Sequence, residues 1–106
     1  MILSTCETLP EHEIVAVLGV ARGNTIRARH IGHDIVAGLK NIVGGEISEY
    51  TKLMAESRDQ AIDRMVEQAA QMGADAIVGL RFTTAMIMTQ AAEILCYGTA
   101  VKVRPR

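Results

Sequence analysis

The residues in this chain whose types and spacing best suit metal chemistry are His30-Ile31-Gly32-His33-Asp34. Two imidazoles at i and i+3 lie on one side of a helical turn with a carboxylate beside them, a donor set that zinc or copper accepts. This cluster offers at most three ligands, and a fourth could come from Cys6, His12 or a neighbouring subunit. The same residues also read as polar positions opening a helix, where the macrodipole favours Asp34. Cys6 and Cys96 have no CxxC spacing, so neither a disulfide framework nor a zinc knuckle follows from them. Cys96 reads as a buried structural thiol. Cys6, near the terminus, is a soft-metal ligand only with help from His12.

A second polar feature is Arg81, set in an otherwise apolar segment next to Gly79. A guanidinium there either pairs with a carboxylate, Glu46 or Glu93, within or between subunits, or lines a pocket for an anion. Catalysis has little to work with. No Gly-x-Ser-x-Gly elbow is present, and none of the three histidines pairs recognisably with a nucleophile. Gly19-Val20-Ala21-Arg22-Gly23 and Gly44-Gly45 lack the Lys-Ser or Lys-Thr of a phosphate loop and read as turn and cap.

The elements that must position these groups follow from periodicity. Glu13 to Ala21 is a nearly continuous apolar, β-branched run and reads as a strand, closed by a turn at Arg22-Gly23-Asn24-Thr25, after which Thr25-Ile26-Arg27 resumes an extended path. Ile31, Ile35, Val36, Leu39, Ile42 and Val43 recur at helical spacing, and Gly44-Gly45 stops that helix. A longer helix runs from about Glu46 or Ser48 to Met72, with Ile47, Tyr50, Met54, Ala61, Ile62, Met65, Val66, Ala69 and Met72 in its apolar stripe. Glu49, Lys52, Glu56, Asp59, Asp63 and Glu67 form its solvated side. Gly73 ends it. A strand follows from Ala76 to about Met88, with Val78, Leu80, Phe82, Met86 and Met88 expected on one face and Arg81 and Thr83 on the other. The last strand spans about Glu93 to Val103, joined by Thr89-Gln90-Ala91 as an antiparallel hairpin.

Length and composition bound the rest. A chain of 106 residues suits one domain, and 49% apolar residues with Lys+Arg 11 against Asp+Glu 12 argue against disorder and against general attraction to nucleic acid. Few aromatic residues leave no stacking platform for single strands. No basic leader precedes an apolar core, and no apolar run is long enough to span a bilayer, so a cytoplasmic address is expected.

The β-α-α-β-β order implies an α+β, two-layer sandwich with helices on one face of a mostly antiparallel sheet. The first strand is apolar on both faces, and so is the last, so a second face is left without a cover from the same chain. Association with further copies is the expected remedy. Three ordered motifs carry a resemblance as well: Val43-Gly44-Gly45-Glu46 with Tyr50 downstream, Gly73-Ala74-Asp75-Ala76-Ile77-Val78-Gly79-Leu80-Arg81-Phe82, and Gly98-Thr99-Ala100-Val101-Lys102. Together they resemble the YbjQ-like family, an uncharacterised group labelled as heavy-metal-binding. The resemblance spans nearly the whole chain and implies a dodecin-like subunit that assembles into a ring-shaped homopentamer. It implies no activity, and the histidine pair is not part of the motifs that carry it. The expectation is an oligomeric binding protein for heavy metal or a small anion at subunit boundaries. A structural ring that binds other proteins and no small ligand is the alternative.

Overall fold

The computed structural model describes residues 1–27, 48–88 and 91–106. Strand β1 (Ile2–Leu3), strand β2 (His12–Arg27), helix α1 (Ser48–Gln71), strand β3 (Ala76–Met88) and strand β4 (Ala91–Pro105) follow in chain order. The strands form one sheet in the order β1-β3-β4-β2. β3 and β4 pair antiparallel, as do β2 and β4, while β1 lies parallel to β3. The sheet is therefore mixed. The short β1 carries too little pattern to be read from sequence, yet Ile2 and Leu3 pair with Ala76 and Ile77. The helix expected over Ile31 to Val43, its Gly44-Gly45 stop, Ile47, the side chains of Glu49 and Tyr50, and Thr89 and Gln90 of the hairpin lie outside the described residues.

α1 forms where its stripe was expected and buries it on the sheet. Ala61, Met65 and Ala69 are fully buried against Ala21, Ile77, Cys96 and Ala100, with Met54, Ile62, Val66 and Met72 packed at the margin. Lys52, Glu56, Asp59, Asp63 and Glu67 are exposed on the other side. Ser57 is the polar exception on the buried side: its Oγ donates to the Leu53 carbonyl at 2.8 Å, and its own carbonyl accepts from the Thr25 hydroxyl at 3.1 Å. The helix ends in a Schellman motif. Gly73 takes φ +82°, its N–H donates to the Ala70 carbonyl, and the Ala74 N–H donates to the Ala69 carbonyl.

Two expectations need correction. Arg22 to Thr25 is not a turn: β2 runs unbroken to Arg27, and Gly23 faces Cys96 across the sheet. The glycine is there because α1 presses on it. A methyl group at Gly23 would fall inside the contact distance of the Ala61 carbonyl oxygen and the Met65 nitrogen, both helix backbone atoms. The simple alternation of β3 also fails. Gly79 adopts φ +63° and the β3–β4 register shifts between Val78 and Arg81, a bulge that moves every later side chain to the other face. Val78 thus packs with Leu9, Ala76 and Val101 on the face opposite α1, which no helix among the described residues covers (the helix-free face), whereas Leu80 joins the core under α1. The ends of β4 lie beyond Glu93 and Val103, because its pairing with β2 continues to His12 opposite Pro105.

The helix-free face is only partly covered. Leu9, Ile2 and Ile14 cap one end of it. Further along, Val17 and Val20 remain 69% and 65% exposed, and Ile26 and Tyr97 are exposed too. They share that face because they stand opposite Val101, Thr99, Glu93 and Arg22, alternate positions of the ladder. This is the uncovered apolar surface that the residue pattern of β2 predicts.

Candidate functional site

Arg81 lies on the helix-free face beside both the buried Val78 and the exposed Val17. The bulge at Gly79 creates its position. The Gly79 N–H donates to the Cys6 carbonyl at 2.9 Å and the Leu80 N–H donates to the Ser4 carbonyl at 3.0 Å, so both amides turn toward the N-terminal segment. Arg81 then faces the same side as Val78 and stands opposite Tyr97. This reverses the expected relation of Arg81 to Val78. Its Nη1 donates to the carbonyls of Thr5 and Leu80, each at 2.8 Å.

Those two bonds hold the guanidinium without neutralising it. Among the described residues no carboxylate forms an ion pair with Arg81; the ion pair formed is that of Arg104 with Glu13, at 2.9 Å on the surface. Glu93, one of the two carboxylates expected beside Arg81, instead accepts from Asn24 Nδ2 at 2.9 Å. Glu46, the other, lies outside the described residues. With Nη1 committed, the Nε–Nη2 edge is the part of the fork left to a further acceptor, and that edge matches the two oxygens of a carboxylate.

Arg81 lines a recess of about 460 Å³ with Glu7, Ile14, Val17, Val78, Thr99 and Val101. The floor is branched aliphatic, the Thr99 hydroxyl adds one polar group, and Glu7 places a negative charge in the lining. Such a recess suits a singly charged anion with a short apolar body. A second carboxylate or a dianionic phosphate would meet Glu7 unfavourably. Arg81 and Gly79 were legible in the sequence as an arginine and a glycine in an apolar strand. Glu7 and Thr99 were not, since only the fold brings them to Arg81.

The metal candidates separate. His30, His33 and Asp34 lie outside the described residues. Cys6 is exposed, with its N–H donating to Ser4 Oγ at 3.0 Å, and His12 is half-buried at the start of β2, its carbonyl accepting from Arg106 Nε at 3.0 Å. Among the described residues no three His, Cys, Asp or Glu side chains gather as a metal site would need. Cys96 is the structural thiol its strand position suggested. It is fully buried, its Sγ lies 3.6 Å from Met65 Sδ, and burial pushes its thiol above the ordinary value.

A second polar cluster was not legible in the sequence. The Arg22 N–H donates to Gln68 Oε1 and Arg64 Nη1 donates to the Asn24 carbonyl, both at 2.6 Å. These helix side chains occupy outward-facing backbone groups of β2, so they read as protection of a sheet edge rather than as a site. No helix among the described residues is long and apolar enough to cross a membrane.

The chain is thus a small α+β protein with one face of a mixed sheet under a helix and a pinned arginine on the other. Comparison with known proteins agrees with that fold. Residues 1–104 match the family described as "Putative heavy-metal-binding". A UPF0145 protein of Archaeoglobus fulgidus is 55% identical over 98% of this chain and 96% of its own length. A UPF0145 protein of Vibrio parahaemolyticus is 59% identical over 97% of this chain and 98% of its own. A crystal structure of a protein of unknown function of the DUF74 family, from Pediococcus pentosaceus, superposes with a TM-score of 0.65. It covers 98% of both chains at 16% identity, which bears on the fold alone. The chain belongs to the YbjQ family, as its three motifs indicate. These relatives carry family labels that name no enzymatic activity.

Proposed function

We propose that this protein is a homo-oligomeric binding subunit that holds a small monocarboxylate at Arg81, at a boundary between copies. The observation that carries this reading is the Arg81 guanidinium, anchored through Nη1 by two backbone carbonyls beside an aliphatic recess. The carboxylate occupies the Nε–Nη2 edge, the apolar tail rests on Val78 and Val101, and Thr99 donates to one oxygen. Neighbouring copies cover Val17, Val20 and Tyr97, and the ring has five members, as the family resemblance implies. Each site is then closed by the next subunit.

Calorimetric titration with isovalerate and acetate tests the reading. Each buried methylene contributes about 0.8 kcal/mol, so the branched acid binds at least tenfold more tightly than acetate. Arg81→Gln abolishes the heat of binding while the parent circular dichroism spectrum is kept. Equal affinity for the two acids, or binding unchanged by the substitution, refutes the site.

The family's description supports a second reading, a transition metal such as zinc or copper held by His30, His33 and Asp34 with Cys6 or His12. Metal analysis of untagged protein purified without chelator tests it, together with a zinc titration of His33→Ala. Under this reading the parent carries stoichiometric metal and the variant does not.

A further inference from the structure

The two outer edges of the sheet are treated in opposite ways. On β2, Gln68 and Arg64 occupy the outward-facing N–H of Arg22 and carbonyl of Asn24, and register shifts between Ile14 and Ala16 and between Val17 and Gly19 bulge the strand. Covered groups and bulges are both devices that keep a sheet edge from pairing with another chain. On β3, the partner strand β1 ends after Leu3, and the last outward bond is the Leu80 N–H to the Ser4 carbonyl. Beyond it, from Arg81 to Met88, the outer edge has no backbone partner among the described residues.

That open edge also has the composition of a pairing strand. Phe82, Thr83, Thr84, Ala85, Met86 and Ile87 are all exposed, and none of them is charged or proline. The Leu80 N–H faces outward, so alternation puts the backbone groups of Phe82, Thr84 and Met86 on the outer edge while Arg81, Thr83 and Ala85 bond to β4. Arg81 is the only charge, and it lies at one end. An antiparallel pair of identical edges keeps the two arginines at opposite ends of the ladder, whereas a parallel pair would bring them side by side.

We propose that the outer edge of β3 pairs with the same edge of a second copy, antiparallel about a two-fold axis through Thr84. Thr84 then faces its own counterpart, and Phe82 faces Met86 of the other copy in a sulfur–aromatic contact. The contact is isologous and closes on itself. It is separate from the Arg81 recess, which lies on the helix-free face. If each copy also belongs to a five-membered ring, the edges join two rings and the particle holds ten chains.

Oxidative cross-linking of Thr84→Cys tests this. Cysteines at a hydrogen-bonded antiparallel pair have Cα atoms about 5.5 Å apart, within disulfide range. The exposed Cys6 is first replaced by serine to remove its background. Mild oxidation should convert most chains to a covalent dimer, while Thr83→Cys in the same background stays uncross-linked. Thr84→Pro, which removes an outward N–H and leaves the β4 ladder intact, should halve the mass measured by light scattering, and Thr84→Lys should do the same. Thr84→Val should keep the parent mass. Absence of the covalent dimer, or a parent mass retained by both Thr84→Pro and Thr84→Lys, overturns the proposal and assigns the edge to another occupant. A ring mass found together with no cross-link would leave the anion-binding reading standing and remove this one.

Discussion

Substituting Gly23 by alanine probes how closely the helix approaches the sheet. The added methyl would overlap the Ala61 carbonyl oxygen and the Met65 nitrogen and lie 2.8 Å from Arg64 Cβ. Two of these atoms belong to the helix backbone, so no side-chain rotation relieves the overlap. α1 must retreat by about 1 Å, loosening Met65 and Ala61 from Ala21 and Cys96. Overpacking of this kind costs about 3 kcal/mol, the upper part of the usual range. Alanine recovers about 0.7 kcal/mol because a strand glycine loses more backbone freedom on folding. The net loss of about 2 kcal/mol lowers the melting midpoint by roughly 10 °C for a chain of this size. Thermal unfolding followed by circular dichroism, at matched protein concentration because assembly shifts the midpoint, measures it. A midpoint equal to or above the parent's would mean that Gly23 sits in open space, and the helix-contact argument would be wrong.

Val17→Asp places a carboxylate on the apolar helix-free face, and light scattering after size exclusion should show the particle falling to two chains or one; an unchanged mass counts against assembly through that face. Gly79→Ala meets nothing within 4 Å, so its cost is the left-handed backbone alone, about 1 to 2 kcal/mol by urea unfolding, and it weakens isovalerate binding by disturbing the bulge that aims Arg81. Burial raises the Cys96 thiol above its ordinary value of about 9. The unfolded chain ionises first, so stability is fully present below that pH and declines as pH rises past it. Urea unfolding from pH 8 to 10.5 should show this decline, and it should flatten in Cys96→Ala.

Much of the architecture was legible because its signals are periodic. The stripe from Met54 to Met72 fixed the buried side of α1, and β-branched runs marked the long strands. What sequence could not give depends on contacts between distant segments. Gly23 looks like a turn glycine until the helix is seen pressing on it, and the bulge at Gly79 reverses the facing of Arg81 while leaving local composition unchanged. β1 has only two residues and exists through its partner β3. The candidate site was half legible. Arg81 stood out as a lone charge in an apolar strand, but Glu7, Thr99 and the Thr5 carbonyl reach it only through folding. Expecting Glu93 beside it failed because the register sets Glu93 opposite Ala85, four positions along the ladder from Arg81, where it accepts from Asn24.

The most direct measurement of anion binding at Arg81 is the guanidinium signal itself. In nitrogen-15-labelled protein, the Arg81 Nε–H resonance, assigned by its loss in Arg81→Lys, is followed during titration with isovalerate. Bidentate capture of a carboxylate at the Nε–Nη2 edge predicts a saturable downfield proton shift, with the other arginine Nε–H signals unmoved. An Arg81 signal that stays in place while isovalerate reaches millimolar concentration would contradict the account.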